Sequence, residues 1–403
     1  MRRLLKYLAV VVIAAHGAVH LVGAAAGLGW ADPPLSQPIG AAPGVGWLVA
    51  GILVLGVAVM LARGTRGWWI VAAVAAVLSQ ALVVSDWADA KAGTVGTVLL
   101  LLAAGYGYLA EGPRGLRAEY RRRRDAAVEA APAVSSAAVT EAELDPLPRL
   151  VAGYVRRSGA VGRPRVTTVH ARFHGRIRGG PDKPWMSFTG EQYNSFGATG
   201  RRFFLLDATM FGLPVDVLHV FDEDGATMRG RLCSLIRVLD ARGSEMDRSE
   251  SVTIFNDLCI LAPAALVDAP IDWQEIDDHR VRGTFRGAAH TVRAELVFDD
   301  DGDLVDFVSD DRLRGPGPDG GFTRMTWRTP VGGYRVFDGR RVAARGEARW
   351  LAGPPEGEFA YVELHIDGIS HGPSDGEPPE RAAGTVNAAP SRDAAPAPWQ
   401  RSA

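Results

Sequence analysis

The stretch LLKYLAVVVIAAHGAVHLVGAAAGLGW, residues 4–30, decides how this chain is divided. Between Lys6 and Asp32 no side chain carries a fixed charge, and a helix needs about 20 mostly apolar residues to cross the hydrocarbon core of a bilayer. The same holds from Pro33 to Ala62, from Gly67 to Ser85 and from Ala92 to Ala110. We read four spans at roughly 4–26, 45–62, 68–85 and 94–110. Arg2, Arg3 and Lys6 before the apolar run, with Ala24–Ala26 after it, also suit a signal peptide. The run exceeds an ordinary signal core of about 7–15 residues, and three more spans follow, so we expect it to be retained.

Cytoplasmic loops collect Lys and Arg. Arg2, Arg3 and Lys6 precede the first span, Arg63 and Arg66 separate the second and third, and Arg114, Arg117 and Arg121–Arg124 follow the fourth, whereas the opposite loops hold Lys91. Both the N-terminus and the C-terminal part are therefore expected on the cytoplasmic side of a bacterial plasma or inner membrane. The Arg121–Arg124 run would face anionic lipid headgroups, at about 1 kcal/mol per residue. No aromatic residues interleave it as a stacking surface for nucleic acid requires, so nucleic acid is not an expected partner.

At 1.5 Å per residue, His16 falls about 18 Å and His20 about 24 Å up the first span, on one helix face. Ser79 and Gln80 of the third span reach the depth of His16, and Asp86, Asp89 and Lys91 lie near or beyond His20. The expected polar seam pairs His16 with Ser79 or Gln80, and His20 with Asp86. Three readings share these residues: interhelical hydrogen bonds, proton or small-ligand chemistry, and zinc held by the histidines and a carboxylate. The first is the expected one. A haem is excluded, because ligands on one helix face cannot reach both sides of the ring.

Residues 111–146 are rich in Arg, Ala, Ser and Glu and predict a basic helical stub followed by a tether, and residues 371–403 predict a disordered tail. Between them, 147–370 alternates. In VTTVHARFHGRIR (166–178), Val169, Ala171, Phe173 and Ile177 face one way, and His170, Arg172, His174, Arg176 and Arg178 the other, which we take as solvated. Further strand-like runs include RRFFLLDATMF, VDVLHVFDE, TMRGRLCSLIRVL, HTVRAELVF and FAYVELHIDGI, with turn signals such as DEDG and PGPDGG between several. One segment, DRSESVTIFNDLCILAPAAL, reads as a helix: Asp247 and Glu250 suit a capping box, Val252, Phe255, Cys259 and Ala262 form an apolar stripe, and Glu250, Thr253 and Asp257 a polar one. The fold class is a four-helix transmembrane module, 1–110, followed by a mainly antiparallel β domain with one packed helix.

WMSFTGEQYNSF (185–196), ESVTIFNDLCILAPAAL (250–266), IDWQEIDD (271–278) and LVDFVSDDRL (304–313), with HGAVHLVG and SQALVVSDWADAKAGT in the membrane segments, resemble a bacterial family of unknown function. Some of its members carry a four-helix membrane module in front. The resemblance implies an incomplete β-barrel similar to lipoprotein-carrier folds, and no activity or cofactor.

The polar residues of those segments are the candidate site: Gln192, Asn194, Asn256, Asp257, Asp310, Asp311 and Arg312. The first reading of function is a cytoplasmic β domain that binds an apolar or lipid-like molecule and orients it through these groups. The alternatives are a membrane sensor or structural protein using His16 and His20, and an enzyme using the Asp257, Asp310 and Arg312 cluster, its carboxylates as acid and base. No GxSxG, P-loop, HExxH, CxxC or dinucleotide fingerprint stands behind an enzyme. No cofactor or metal is expected.

Overall fold

The structure, a computed structural model, describes residues 2–131, 137–197, 200–287, 290–315 and 321–372. The expected tail beyond Gly372, most of the PGPDGG turn and part of the tether lie outside the described residues.

Helices α1 (Arg2–Gly27), α2 (Ala41–Arg63), α3 (Trp68–Ser85), the one-turn α4 (Trp87–Ala90) and α5 (Gly93–Glu111) take up the apolar part. Among the described residues, four helices are long and apolar enough to cross a membrane. Their core is small: Ala72, Ala75, Ala76 and Ala104 pack with Ile13, Val54 and Leu100, the kind of surface that lets helix backbones approach closely. At the α1–α2 contact a Cβ on Gly44 would stand 2.8 Å from Gly27 Cα, so neither position has room for a side chain. Apolar residues such as Val11, Val74, Val77 and Leu102 point outward and are exposed.

Period-two alternation then builds strands β1 (Thr168–Ile177), β2 (Met186–Ser195), β3 (Arg201–Met210), β4 (Leu213–Asp222), β5 (Gly225–Leu232) and β6 (Ile236–Arg242). The expected single strand TMRGRLCSLIRVL is a hairpin, because Cys233 and Ser234 take the left-handed backbone that reverses the chain. After helix α8 (Ser244–Leu261) come β7 (Ile271–Glu275), β8 (Arg280–Arg286), β9 (Thr291–Phe298), β10 (Leu304–Ser309), β11 (Thr326–Arg328), β12 (Arg345–Leu351) and β13 (Glu358–His371). The order across the sheet is β6-β5-β4-β3-β2-β1-β13-β12-β11-β10-β9-β8-β7, with Val331–Gly332 pairing to β12. All of these pairings are antiparallel. Each half is thus a meander, and β1 pairs with β13 to join them. The outer strands β6 and β7 do not pair, so the sheet curls without closing into a barrel.

Helix α8 is the connection between those two free edges. It starts a turn earlier than the expected capping box, with Gly243 at the N-cap, because Asp247 accepts from Ala226 N (2.6 Å) on β5 instead of capping, and Glu250 is drawn inward. Helix α7 (Arg149–Arg157) closes one end of the core, where Tyr154 donates to the Cys259 carbonyl (3.0 Å).

The outer face of β2–β5 is not solvated. Helix α6 (Leu116–Glu129), the expected stub, lies on it and buries Leu116, Tyr120 and Ala127 against Tyr193, Phe203, Leu205, Leu218 and Val220. This corrects two expectations. His170 is wholly buried and donates to Glu191 (2.9 Å), whereas His174 is half-exposed. Two of the Arg121–Arg124 run expected on lipid headgroups are instead spent on the sheet, Arg123 on Asp222 (2.6 Å) and Arg124 on Glu191 (2.9 Å), and Arg117 nearby pairs with Asp207. Nor are residues 137–146 a free tether, since Val139 N donates to the Arg163 carbonyl (2.9 Å) and Thr140 and Glu143 cap a 3-10 turn, Glu141–Leu144.

Candidate functional site

Helix α8 presents different faces to the two halves of the sheet. Phe255 packs its ring against Phe285 (centroids 5.3 Å apart), Phe307 (5.2 Å) and Trp273 (6.5 Å) from β8, β10 and β7. The opposite stripe meets β2 and β3, where alternation sends Gln192, Asn194, Arg202, Phe204, Leu206 and Ala208 to the concave side. There Asp257 Oδ2 accepts from Gln192 Nε2 (2.7 Å), Arg202 Nε (2.8 Å) and Asn194 Nδ2 (3.0 Å). Arg202 also donates to Glu250 (3.1 Å) and to Gln192 Oε1 (3.2 Å).

Arg312 completes this end. It donates to the Ser249 carbonyl (2.9 Å) and to Thr253, lies 3.9 Å from Glu250, and stacks its guanidinium carbon 4.6 Å from the Trp327 ring centre. Its Nε is buried with no hydrogen-bond partner among the described residues. Asn256 donates instead to Thr329 (2.6 Å), which ties α8 to the second half.

Of the expected residues, Gln192, Asn194 and Asp257 bond one another, Asn256 and Arg312 line the same space beside α8, and Asp310 and Asp311 do not reach it. Strand β10 ends at Ser309, so the alternation expected to carry all three of Asp310, Asp311 and Arg312 has stopped. Asp310 is exposed and accepts from Thr326 Oγ1 (2.6 Å). Asp311 ties the first turns of α8 to the strand ends, accepting from Arg248 (2.5 Å) on the helix, Arg293 N (2.8 Å) and Arg324 (3.1 Å). Arg202 and His219 are the members that sequence reasoning missed. The available signal was a charge at an inward position of RRFFLLDATM and an imidazole at an inward position of VDVLHVFDE.

Burial drives the Glu250 carboxyl upward, but Arg202, with His219 and Arg312, outweighs it and holds Glu250 well below the usual carboxylate range. Burial pushes His219 down despite Glu250, and pushes His371 down to about 4. The signs agree. Glu250 contributes stability above its unfolded pKa of about 4.3, lost as pH falls through its lower folded value, and each buried neutral histidine costs stability as pH falls below about 6.5, because the unfolded chain protonates first. The melting temperature should be level from about pH 8 to 7 and fall at lower pH, by at most about 1.4 kcal/mol per pH unit for each group. His219→Gln should flatten part of the decline. A melting curve indifferent to pH down to about 4 would contradict this assignment.

Between α8 and the concave face lies a cavity of about 1100 Å³, at the upper end of ligand pockets, about 300–1,000 Å³. Its wall is mostly apolar, with Phe188, Phe204, Leu206, Val217, Trp350 and Leu364 among the lining residues, and Glu250, Asp257, Arg202 and Arg312 form the charged part.

The polar seam among the apolar helices is built around Ser79. His20 Nδ1 donates to the His16 carbonyl (2.9 Å), its Nε2 lies 2.9 Å from Ser79 Oγ, and His16 Nε2 lies 3.3 Å from the same oxygen, which also meets Thr97 (2.9 Å). Asp86 does not meet His20 as expected. Trp47 of α2 comes between, with its ring 5.2 Å from His20 and its Nε1 donating to Asp86 (3.1 Å). Gln80 donates to Thr94 (3.3 Å), Asp89 accepts from Ser36 N (2.8 Å), and Lys91 is exposed.

A sequence profile described as a family of unknown function, DUF6544, matches residues 137–364, from the edge of the tether into β13. The chain belongs to the DUF6544 family. The matched segment contains the whole of α8, its polar cluster and nearly all of the sheet, so the cavity is a property of the DUF6544 part of the chain. No curated protein matches it in sequence. Solved structures similar to this DUF6544 chain include a DUF1329 family protein from Desulfovibrio piger, at 13% identity over 58% of this chain and 94% of that one, TM-score 0.32. A putative outer membrane lipoprotein-sorting protein domain from Vibrio parahaemolyticus is 9% identical over 51% of this chain and 85% of that one, TM-score 0.32. A LolA superfamily protein from Nitrosomonas europaea is 11% identical over 58% and 94%, TM-score 0.28.

Proposed function

We propose that this chain is a multi-pass membrane protein whose β domain, residues 147–370, holds an apolar or lipid-like molecule between α8 and the curved sheet. The cavity of about 1100 Å³ carries the reading. Its apolar wall would take the hydrocarbon part, and Arg312, whose buried Nε has no partner among the described residues, would receive an acceptor oxygen of the polar part. Asp257, Gln192, Asn194 and Arg202 hold one another and act as the fixed end of the site. The exposed apolar flanks of α1–α5 support immersion in lipid, since water-facing surfaces rarely carry such continuous patches. The Lys and Arg distribution supports a cytoplasmic β domain. No step of catalysis is proposed, because the carboxylates expected to share a reacting atom point to different places.

Native mass spectrometry after gentle detergent extraction should find a small amphiphile bound to the chain. Val217→Trp, which grows into the cavity, should leave the melting temperature nearly unchanged and remove most of the bound species. A native chain that is uniformly empty, or a Val217→Trp variant that retains its ligand in full, would count against the reading.

A further inference from the structure

Because β1–β6 form a meander, the β1–β2 loop (178–185), the β3–β4 turn at Phe211–Gly212 and the β5–β6 turn at Cys233–Leu235 fall at one end of the sheet. That end displays large apolar side chains to the outside: Phe211 is 87% exposed and Leu235 65%, with Leu213, Ile236 and Val238 beside them. Phe211, Cys233 and Ser234 hold left-handed backbone (φ 50°, 52° and 56°), so the tips are tight turns.

The same end receives the chain from the last apolar helix. Helix α5 stops at Glu111 and α6 starts at Leu116, no more than about 18 Å away even if fully extended. The turn is tighter than that limit, since Gly112 N donates to the Tyr108 carbonyl (2.9 Å) and Gly115 N to the Gly112 carbonyl (2.9 Å). In the first turn of α6, Arg117 pairs with Asp207 and with Asp216 (3.3 Å), each three residues from the strand end at the β3–β4 turn. Arg231 Nη1 donates to the Arg114 carbonyl (3.5 Å). The apolar tips therefore stand next to the point where the chain leaves α5. The cavity reaches this rim too, where Arg178, Lys183, Met210 and Val238 line it.

We propose that the hairpin tips around Phe211 and Leu235 seat in the surface of the bilayer that α1–α5 span, and that the cavity opens there directly onto lipid. The proposal rests on the cavity reading above and adds the source and route of its occupant: a membrane lipid passes between bilayer and cavity without crossing water. Arg114 and Lys183, both exposed, flank the contact and suit an anionic surface. Along β3, from Met210 at the rim to Arg202 at the polar cluster, the path is about 26 Å at roughly 3.3 Å per residue. An acyl chain about 15 Å long, half the hydrocarbon core, together with its headgroup fits that length.

The test uses the full chain in vesicles of phosphatidylcholine and phosphatidylglycerol, with Cys233→Ser as background and a bimane label on F211C, L235C or D224C. Asp224 sits in the β4–β5 turn, about 30 Å along β4 from Phe211. Nitroxide-bearing lipids should quench bimane at 211 and 235 several-fold more than at 224, and equal quenching at the three sites would overturn the proposal. In the second arm, Phe211→Asp with Leu235→Asp should slow uptake of a fluorescent phospholipid from donor vesicles several-fold and leave uptake from detergent micelles unchanged. Asp is compatible with the left-handed backbone at 211. Equal loss from both sources, or loss from neither, would overturn it as well. A native chain quenched at the tips but unable to bind the lipid probe would uphold the docking and overturn the cavity reading; a chain that binds the probe without quenching would do the reverse.

Discussion

Arg202→Met should destabilise the sheet and helix α8 by about 3–5 kcal/mol, the usual consequence of removing one partner from a buried ionic cluster. Arg202 is the cation between Glu250 and Asp257, and all three are buried. Without it two carboxylates remain in a low-dielectric wall, and Gln192 and Asn194 alone cannot neutralise Asp257. For a unit of about 225 residues the loss corresponds to roughly 6–20 °C in melting temperature. Adding Glu250→Gln and Asp257→Asn to Arg202→Met should recover most of it, because no unpaired charge is then buried. If the single variant melts with the parent, or the triple variant melts no higher than the single, the cluster is not what holds α8 to β3.

Phe255→Ala attacks the other attachment of the same helix and should cost about 3–5 kcal/mol. Phe255 is fully buried in the aromatic group from β7, β8 and β10, and β8 makes room for it at Gly283, where a Cβ would stand 2.7 Å from Phe255 Cζ. Truncation leaves a void bounded by Phe285 and Phe307, rings that cannot collapse into it without leaving their own partners. Thermal melts of the purified chain in detergent measure this directly. A cost below about 1 kcal/mol, ordinary for a surface change, would mean that α8 is held from one side only.

Much of this architecture is local and therefore readable from residue order. Charge-free runs mark the four long helices, and alternation marks β1 to β4 because every second residue there meets the core. The stripe of Val252, Phe255 and Cys259 announces α8 for the same reason. What escaped reading depends on partners far away in the chain. Nothing near His170 says that α6, polar by composition, will lie over it, and nothing near Glu250 says that Arg202 will draw it inward and move the helix start by a turn. The Asp310–Asp311–Arg312 run was misplaced because a strand's end, where alternation lapses, leaves no mark in residue type. His20 and Asp86 matched in depth, but depth says nothing of Trp47 arriving between them from a third helix.

The junction of the two meanders also sets a timetable for synthesis. Every other neighbour in the sheet is supplied by a nearby hairpin or a modest insertion, but β1 waits for β13: Ile177 pairs with Val362, and Val169 with His371. At roughly 5–20 residues per second a ribosome needs about 10–40 s to deliver that partner. Throughout the interval the first meander carries a long strand edge unsatisfied, the kind of edge that recruits foreign strands. Nascent chains of this protein are therefore most vulnerable to aggregation, and most in need of a chaperone, between the emergence of β1 and that of the last strand.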